Sequence, residues 1–226
     1  MSVRNGADPR PARPAHITLV RHGETDWNAA GRLQGQLQIP LNRRGRAQAE
    51  AIATHLQDAR IHAVYSSDLL RALQTAQVIV RHSGQEIHED KRLREWDLGV
   101  LVGLCQAQAE HDQPYAARIR REYLVDEPIP GGESIRQRFE RVIEAVSEIA
   151  ARHRGESVLV VSHGGPLGDC YRRAVGRGIR ERMRIDLRNA SINQVCIDGD
   201  DWSLSFWART EHLAAVGSRL NWGVHR

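Results

Sequence analysis

The feature that most constrains the fold is an alternation of short apolar runs with stretches of helical periodicity. The runs "HITLV", "AVYSS" and "SVLVVS" have the length and the β-branched content of buried strands. Apolar residues recur at helical spacing between and after these runs, at 42–59, 68–83, 134–154 and 165–176. Strands that alternate with helices are joined by right-handed crossovers. The sequence therefore predicts an α/β fold, a three-layer α/β/α sandwich around a mostly parallel central sheet.

The two ends and the middle of the chain depart from this alternation. Residues 1–15 are rich in Pro, Arg and Ala and predict a disordered leader; they lack the apolar segment of a secretory signal. Residues from about 101 to 130 are polar and helix-prone, which predicts a helical insertion over the domain. The final runs "ASINQVCID" and "WSLSFWAR" predict two strands that can include an antiparallel member. Residues 16–226 thus form one predicted domain, a size that allows a sizeable core.

Polar residues mark where the predicted helices begin. Asn42 is placed to cap the helix that follows it. Ser134 and Gln137 have the spacing of a capping box. Asp68 or Ser67 is the predicted cap of the helix in "DLLRALQTAQVIV".

Two of the strand-like runs end in the same way, with a histidine and glycine. "ITLV" is followed by Arg21, His22 and a glycine, and "VLVVS" is followed by His163 and two glycines. Ligands of an open parallel sheet bind outside the carboxyl ends of its strands, so both imidazoles are expected in one place. The glycines let backbone N–H groups approach a ligand closely. A single histidine at a strand end is usually a packing residue, but two in the same context favour a functional site.

An arginine and an acid extend this candidate site. Arg71 is predicted in the first turn of its helix, where a cation opposes the macrodipole, and this placement favours an anion nearby. Glu95 precedes a tryptophan in "RLREWDLG", and a partly desolvated carboxyl group can donate a proton at neutral pH. Asp97 and Glu24 are rival candidates on the residues alone.

Composition narrows the ligand and the compartment. The formal net charge is +4, the pI is about 9.3, and arginine dominates the basic residues, which suits a small anionic ligand. Nucleic acid is disfavoured, because aromatic residues make up only 5% and no basic block is interleaved with them. No apolar stretch is long enough to span a membrane. The 3 cysteines form no C-x-x-C pair, which fits a reducing, cytoplasmic compartment.

Several other chemistries lack their motifs. The sequence contains no H-E-x-x-H or D-x-D-x-D-G spacing of a metal site, no G-x-S-x-G of a serine hydrolase and no G-x-x-x-x-G-K-[ST] phosphate loop. The remaining set is two histidines, two arginines and a glutamate around an anion. That set fits metal-free phosphoryl transfer to a histidine.

The motifs occur in an order that is itself informative. "LVRHGETDWN" resembles the signature of the histidine phosphatase superfamily, in its phosphoglycerate-mutase-like branch. "GRLQGQLQIPLNRRGRAQA", "VYSSDLLRALQTA", "LREWDLGVLVG", "IPGGES" and "VLVVSHGG" are similar to family segments in family order. Together they cover residues from about 16 to 200.

The resemblance implies a role for each matching position. His22 would be the nucleophile that becomes phosphohistidine, and His163 the second imidazole. Glu95 would protonate the leaving oxygen and then activate water. The resemblance also implies phosphoryl contacts from Arg21 and Arg71, and further pocket contacts from Asn28, Gln34, Gly35 and Gly164.

The residues leave three functions open. "GRLQGQLQIPL" resembles the phosphatase-type members, so the first hypothesis is a metal-independent phosphatase of a small phosphorylated metabolite, with no cofactor. The second is a phosphoglycerate mutase, which would need a bisphosphorylated primer; Arg118, Arg120 and Arg121 in the insertion would then form a second phosphate site instead of a solvated helix face. The third is a non-catalytic phospho-ligand-binding protein. Substrate specificity is expected in the insertion, the "PGGES" turn and the last strands, and a homodimer is an open expectation.

Overall fold

The computed structural model describes residues 13–217, and nearly all of the predicted leader lies outside them. The first strand begins one residue before its predicted start at His16. Ala15, the last residue assigned to the leader, is the first residue of β1 because it pairs with Ile197 across the sheet.

A six-stranded sheet forms the centre of the molecule. Its strands are β1 (Ala15–Arg21), β2 (Ala63–Ser66), β3 (Ile87–Glu89), β4 (Ser157–Ser162), β5 (Ile192–Asp198) and β6 (Asp201–Arg209). They lie in the order β3-β2-β4-β1-β5-β6. The first four are mutually parallel, whereas β5 runs antiparallel to β1 and β6 antiparallel to β5. The predicted α/β class and mostly parallel sheet are confirmed. The predicted antiparallel member is β5, and β6 runs antiparallel to it because a tight turn at Gly199 joins the two strands.

The helices pack on both faces of the sheet. They are α1 (Asp26–Ala29), α2 (Arg43–His55), α3 (Leu70–Val80), α4 (Gln106–Asp112), α5 (Pro114–Glu122), α6 (Ile135–Arg152) and α7 (Gly164–Ala174). On one face, α6 and α7 bury Val142 and Leu167 against Ile17. On the other, α2 and α3 bury Ile52 and Ala76 with strand residues such as Val161. These two apolar layers produce the three-layer sandwich. No helix within residues 13–217 has the length and apolar character to cross a membrane.

The predicted helix starts are confirmed in two cases and wrong in one. Asn42 accepts a hydrogen bond from the Gly45 N–H at 2.8 Å, and Ser134 forms its capping box with Gln137. The helix α3 instead follows Leu69, and neither Asp68 nor Ser67 caps it. A side chain distant in sequence takes that role, since Gln38 Oε1 accepts from the Leu70 N–H at 2.7 Å.

The region predicted as an insertion contains α4 and α5, and it has an apolar core of its own. Leu101 and Ile119 are buried there against Trp96, Ile129 and Ile135. This cluster fixes the two short helices to the segment that carries Glu95 and to the start of α6.

Candidate active site

The two histidines lie side by side because their strands are neighbours. Arg21 on β1 pairs with Ser162 on β4, and the His22 N–H donates to the Ser162 carbonyl at 3.0 Å. The residue after each strand therefore projects from the same edge of the sheet, and the rings of His22 and His163 have centroids 5.1 Å apart. The structure brings together the two imidazoles that the sequence predicted in one place.

His22 is held as a neutral ring with one nitrogen engaged. Its Nδ1 lies 2.7 Å from the Gly23 carbonyl, so Nδ1 carries the proton and Nε2 keeps its lone pair. The side chain is 2% exposed. Burial, helped by the charges of Arg71 and Arg21, holds the pKa of His22 well below 6.5. The ring is thus a neutral base at ordinary pH.

His163 is held in place by the hydroxyl group of Ser67, which the sequence predicted as a helix cap. Its Nε2 lies 2.8 Å from Ser67 Oγ, and both residues are fully buried. Burial, with the charge of Arg71 next in importance, holds the pKa of His163 well below its ordinary value. Ser67 was a candidate helix cap in the sequence, and its short distance to His163 across 96 residues is visible only in the fold.

Arg21 and Arg71 are buried cations beside the imidazoles. Arg71 is 1% exposed and donates to the carbonyls of Gly35 at 2.8 Å and Leu37 at 2.9 Å. Arg21 Nη1 donates to the Leu187 carbonyl. Burial lowers the pKa of Arg71 to about 10, so Arg71 stays charged at neutral pH. Burial also lowers the pKa of Arg21 below its ordinary value, opposed by the charge of Glu95.

Three buried nitrogens of this cluster lack a hydrogen-bond partner within residues 13–217. They are Nε of Arg21, Nε of Arg71 and Nδ1 of His163. An unsatisfied buried polar group costs about 1–3 kcal/mol. Since a phosphoryl group offers several acceptor oxygens, an anion of that kind suits the two guanidinium donors. The arrangement can therefore bind an oxyanion beside His22 Nε2.

Glu95 reaches the same site at the first turn of α7. Its carboxylate accepts from the Gly165 N–H, at 3.1 Å for Oε1 and 3.4 Å for Oε2. The neighbouring Gly164 lies between Glu95 and Arg21: a Cβ there would be 3.6 Å from the Arg21 Cζ and 3.8 Å from Glu95 Oε2. Glu95 thus stands beside the helix turn that starts at His163.

The two rival acids are engaged in other contacts. Glu24 accepts from Asn42 Nδ2 at 3.0 Å and pairs with Arg44, at the start of α2. Asp97 Oδ1 accepts from the Gly99 N–H at 3.1 Å, within its own turn. Geometry therefore favours Glu95 among the three candidates.

The loop after β1 contributes the remaining predicted residues, mostly through contacts within the protein. Asn28 Oδ1 accepts from the Thr25 N–H at 3.2 Å, and Gln34 Oε1 accepts from Thr25 Oγ1 at 2.9 Å. Gly35 has a φ of +50°, and its carbonyl accepts a hydrogen bond from Arg71 Nη2. The loop is folded onto the buried arginine, and direct contact of Asn28, Gln34 or Gly35 with a ligand stays a prediction.

The insertion arginines divide into two kinds. Arg118 and Arg121 are exposed. Arg120 is partly buried; burial lowers its pKa to about 10, opposed by the charges of Glu110 and Glu95. Of the three, Arg120 is thus the one that is partly buried and is influenced by the charge of Glu95, a distinction that the sequence pattern did not make.

A buried ion pair also lies under Glu95, and sequence reasoning missed it. Arg138 donates to both carboxylate oxygens of Asp169, at 2.7 and 3.0 Å, and its guanidinium lies 5.0 Å from the Trp96 ring centroid. Burial lowers the pKa of Arg138, but the charge and hydrogen bonds of Asp169 outweigh it and the pKa is raised. Both residues lie on predicted helices. The one sequence signal for the pair is that each charged residue falls on the helix face that otherwise carries buried apolar residues.

No group of three or more His, Cys, Asp or Glu side chains is placed to hold a metal ion in the described part of the chain.

Comparison with known proteins gives a consistent set of relatives. The sequence model of the histidine phosphatase superfamily (branch 1) matches residues 17–210. The chain is 42% identical to a metal-independent phosphoserine phosphatase of Arabidopsis thaliana, over 89% of this chain and 84% of the relative. It is 39% identical to phosphoglycerate mutase-like protein 4 of the same plant, over 90% and 89%. A mycobacterial glucosyl-3-phosphoglycerate phosphatase in complex with VO3 has a similar structure, with a TM-score of 0.76 and 31% identity over 88% of this chain and 100% of that one.

Proposed function

Since this chain belongs to the histidine phosphatase superfamily, we propose that it is a metal-independent phosphatase that hydrolyses a small phosphorylated metabolite through a phosphohistidine at His22. One observation carries the proposal. Three buried nitrogens, from Arg21, Arg71 and His163, have no hydrogen-bond partner among residues 13–217, and they belong to the same buried cluster as a neutral histidine whose Nε2 keeps its lone pair. This combination supports both oxyanion binding and nucleophilic attack, and a pure binding protein has no need of the second.

The first step transfers the phosphoryl group to the enzyme. The lone pair of His22 Nε2 forms an N–P bond while the P–O bond to the leaving alcohol breaks. Arg21 and Arg71 stabilise the negative charge that spreads over the phosphoryl oxygens, and such preorganised electrostatic stabilisation is usually the largest catalytic term. The Gly23 carbonyl keeps the proton on Nδ1 and so aims Nε2 at the phosphorus.

Glu95 completes both halves of the reaction. In its protonated form it gives a proton to the leaving oxygen, so that a neutral alcohol departs. Its carboxylate then takes a proton from water, the resulting hydroxide attacks phosphorus, and the N–P bond breaks to release phosphate and restore neutral His22. General acid–base assistance of this kind is worth about 10²–10⁴-fold in rate.

His163 supports the transferred group from the other side. Ser67 engages its Nε2, which leaves Nδ1 as the nitrogen available to the ligand. With Ser67 as the donor, Nδ1 carries the proton and can donate it to a phosphoryl oxygen.

Arg120 supports a substrate class. It is partly buried and is within the electrostatic influence of Glu95, and a guanidinium group near the proposed general acid supports a metabolite with an acidic group close to the phosphate ester. The phosphoserine phosphatase and the glucosyl-3-phosphoglycerate phosphatase among the relatives are named for substrates of this kind. The cytoplasmic location and the homodimer stay predictions.

Mutase activity is the second candidate. It is favoured by the relative named as phosphoglycerate mutase-like and by Arg120, which could hold a second phosphate. A mutase would return the phosphoryl group from His22 to a second hydroxyl before water could reach it.

A substrate panel tests these alternatives. The purified chain is incubated with phosphoserine, 3-phosphoglycerate and neutral sugar phosphates, and released phosphate is measured together with isomerised product by NMR. Phosphate release that is fastest for the acidic metabolites, and that selectively slows in Arg120→Gln, is the expected result. Isomerisation without phosphate release would favour the mutase. If no member of the panel gives either released phosphate or an isomerised product, the proposal is contradicted.

A further inference from the structure

Glu95 lies on a segment that has no regular secondary structure. Residues 94–98 join two short 3-10 turns, Lys91–Leu93 and Gly99–Leu101. Neither a sheet ladder nor a helix fixes the backbone here, so other contacts must hold the carboxyl group at Gly165. A general acid that is misplaced by about 1 Å can lose about 10²-fold in rate.

Arg141 of α6 supplies those contacts through its guanidinium group. Its Nη1 donates to the carbonyls of Arg92 at 2.7 Å and Arg94 at 2.8 Å, and its Nη2 donates to the carbonyl of Glu95 at 2.9 Å. Nε donates to Glu133 Oε2 at 2.8 Å, and Nη2 also donates to Glu133 Oε1. All five N–H groups of the side chain are thereby used, and three of them fix the backbone just before and at Glu95.

Glu133, in the "PGGES" turn, holds the other side of the same segment. Its Oε1 accepts from the Asp97 N–H at 3.0 Å, and its backbone carbonyl accepts from Trp96 Nε1 at 2.8 Å. The turn touches the segment backbone to backbone, since a Cβ at Gly132 would lie 2.3 Å from the Asp97 carbonyl oxygen. The turn that is expected to carry substrate specificity is thus also in direct contact with the segment that contains Glu95.

The contact pattern differs from that of an ordinary surface ion pair. The side chains of Arg141 and Glu133 are 19% and 15% exposed, and the two groups face backbone atoms on either side of Glu95. Exposed ion pairs contribute only about 0–1 kcal/mol to stability. Such pairs do not need both partners to bond to the backbone of the same segment, as Arg141 and Glu133 do. The same helix carries an exposed pair for comparison, Arg136 with Asp126.

We propose that Arg141 and Glu133 are positioning residues that clamp the segment 92–97 and so hold the Glu95 carboxyl group at the leaving oxygen. This inference rests on the proposed role of Glu95 as general acid. Neither residue needs to touch the substrate, so the clamp acts on the rate constant of the acid-dependent step and leaves the phosphate-binding residues in place.

Arg141→Lys is the direct test, because an ammonium has three donors and cannot reproduce the planar fork. Its kcat and KM are measured with an alkyl phosphate, whose leaving group needs a proton, and with an aryl phosphate, whose leaving group does not. We expect kcat on the alkyl phosphate to fall about 10–100-fold with little change in KM, and a much smaller loss on the aryl phosphate. Arg136→Lys, the matched control, should retain both activities.

A double-mutant cycle separates positioning from a general loss of structure. Glu95→Gln alone should show the same selectivity for the alkyl phosphate, and Arg141→Lys with Glu95→Gln should be no slower than Glu95→Gln, because the clamp has no acid left to position. Losses that multiply in the double variant, or equal losses on both substrates, would overturn the clamp.

Two further results are informative. If Arg141→Lys does not fold, Glu133→Gln keeps the side-chain shape, weakens the same guanidinium anchor and is held to the same criteria. If Glu95→Gln itself loses equally on both substrates, the acid role fails first and the clamp fails with it. If Glu95→Gln is selective and Arg141→Lys is not, the clamp alone is refuted.

Discussion

Replacing Gly165 by alanine would displace the Glu95 carboxylate with little disturbance elsewhere. A Cβ on Gly165 would lie 2.4 Å from Glu95 Oε1 and 3.2 Å from Arg138 Nη1. Real Cβ atoms keep at least 3.0 Å from such neighbours, so Oε1 must move by at least the difference of about 0.6 Å. The atom in the way is the end of a flexible side chain, and therefore the carboxylate moves while the helix stays.

The expected effects on stability and on rate have different sizes. Alanine in place of a helical glycine stabilises by roughly 0.5–1 kcal/mol. The weakened hydrogen bond between the Gly165 N–H and Glu95 offsets this by about 0.5–1.5 kcal/mol. The net change in unfolding free energy is therefore close to zero. A misplaced general acid costs about 10²-fold in rate, which corresponds to about 2.7 kcal/mol in the activation free energy.

Gly168→Ala in the same helix is the matched control. Its Cβ would make an ordinary contact with Ile185 Cδ1 at 3.6 Å, away from the site. Both variants are assayed for kcat on an alkyl and an aryl phosphate and for urea-induced unfolding. Gly165→Ala should lose the alkyl activity selectively, whereas Gly168→Ala should keep both activities and gain stability.

Two results would refute this reasoning. A rate change within about twofold corresponds to a change in activation free energy below about 0.5 kcal/mol. If Gly165→Ala keeps its alkyl phosphatase activity within that range, the position of the Glu95 carboxylate does not limit the reaction. If both activities fall together with stability, the substitution has disturbed the fold and the added methyl group does not act through the acid.

Three further predictions follow from the site. His22→Ala should abolish turnover and the acid-labile, alkali-stable phosphoenzyme seen after rapid quench, with an unchanged circular dichroism spectrum; labelling that persists would identify another nucleophile. Burial and nearby arginines hold the pKa values of His22 and His163 well below 6.5 in the folded protein. Below pH 6.5 the unfolded chain therefore binds more protons than the folded one. The unfolding free energy should fall as the pH drops, by about 1.4 kcal/mol per pH unit for each histidine. Urea titrations should show a shallower fall in His163→Gln, and an equal slope would contradict this. Turnover should be unaffected by a chelator, and its loss would exclude the metal-free mechanism.

Structural features that depend on residues close together in the chain could be predicted from the sequence. Strand–helix alternation gave the α/β fold, because each element buries an apolar face that its own residues define. The caps at Asn42 and Ser134 depend on residues three positions away. The convergence of His22 and His163 followed from a topological rule, since both lie at the carboxyl ends of parallel strands.

Features made by residues far apart in the chain could not be predicted in the same way. The cap of α3 comes from Gln38, 32 residues before the helix starts, so the local candidates Asp68 and Ser67 were wrong. Asp68 instead pairs with Arg94 and helps to hold the segment before Glu95. A cap needs one acceptor at the right place, and the tertiary fold decides which side chain supplies it.

By itself the sequence determined the layers of the protein and the edge of the sheet at which the two histidines lie together. The tertiary structure decided which of three acids lies at the turn that follows His163, which insertion arginine is partly buried and what holds Glu95 in place. The physical reason is that helix and strand patterns depend on nearest neighbours, whereas the contacts of Glu95 span 46 residues to Arg141 and 70 to Gly165. Contacts of that range exist only once the sheet has brought distant segments together.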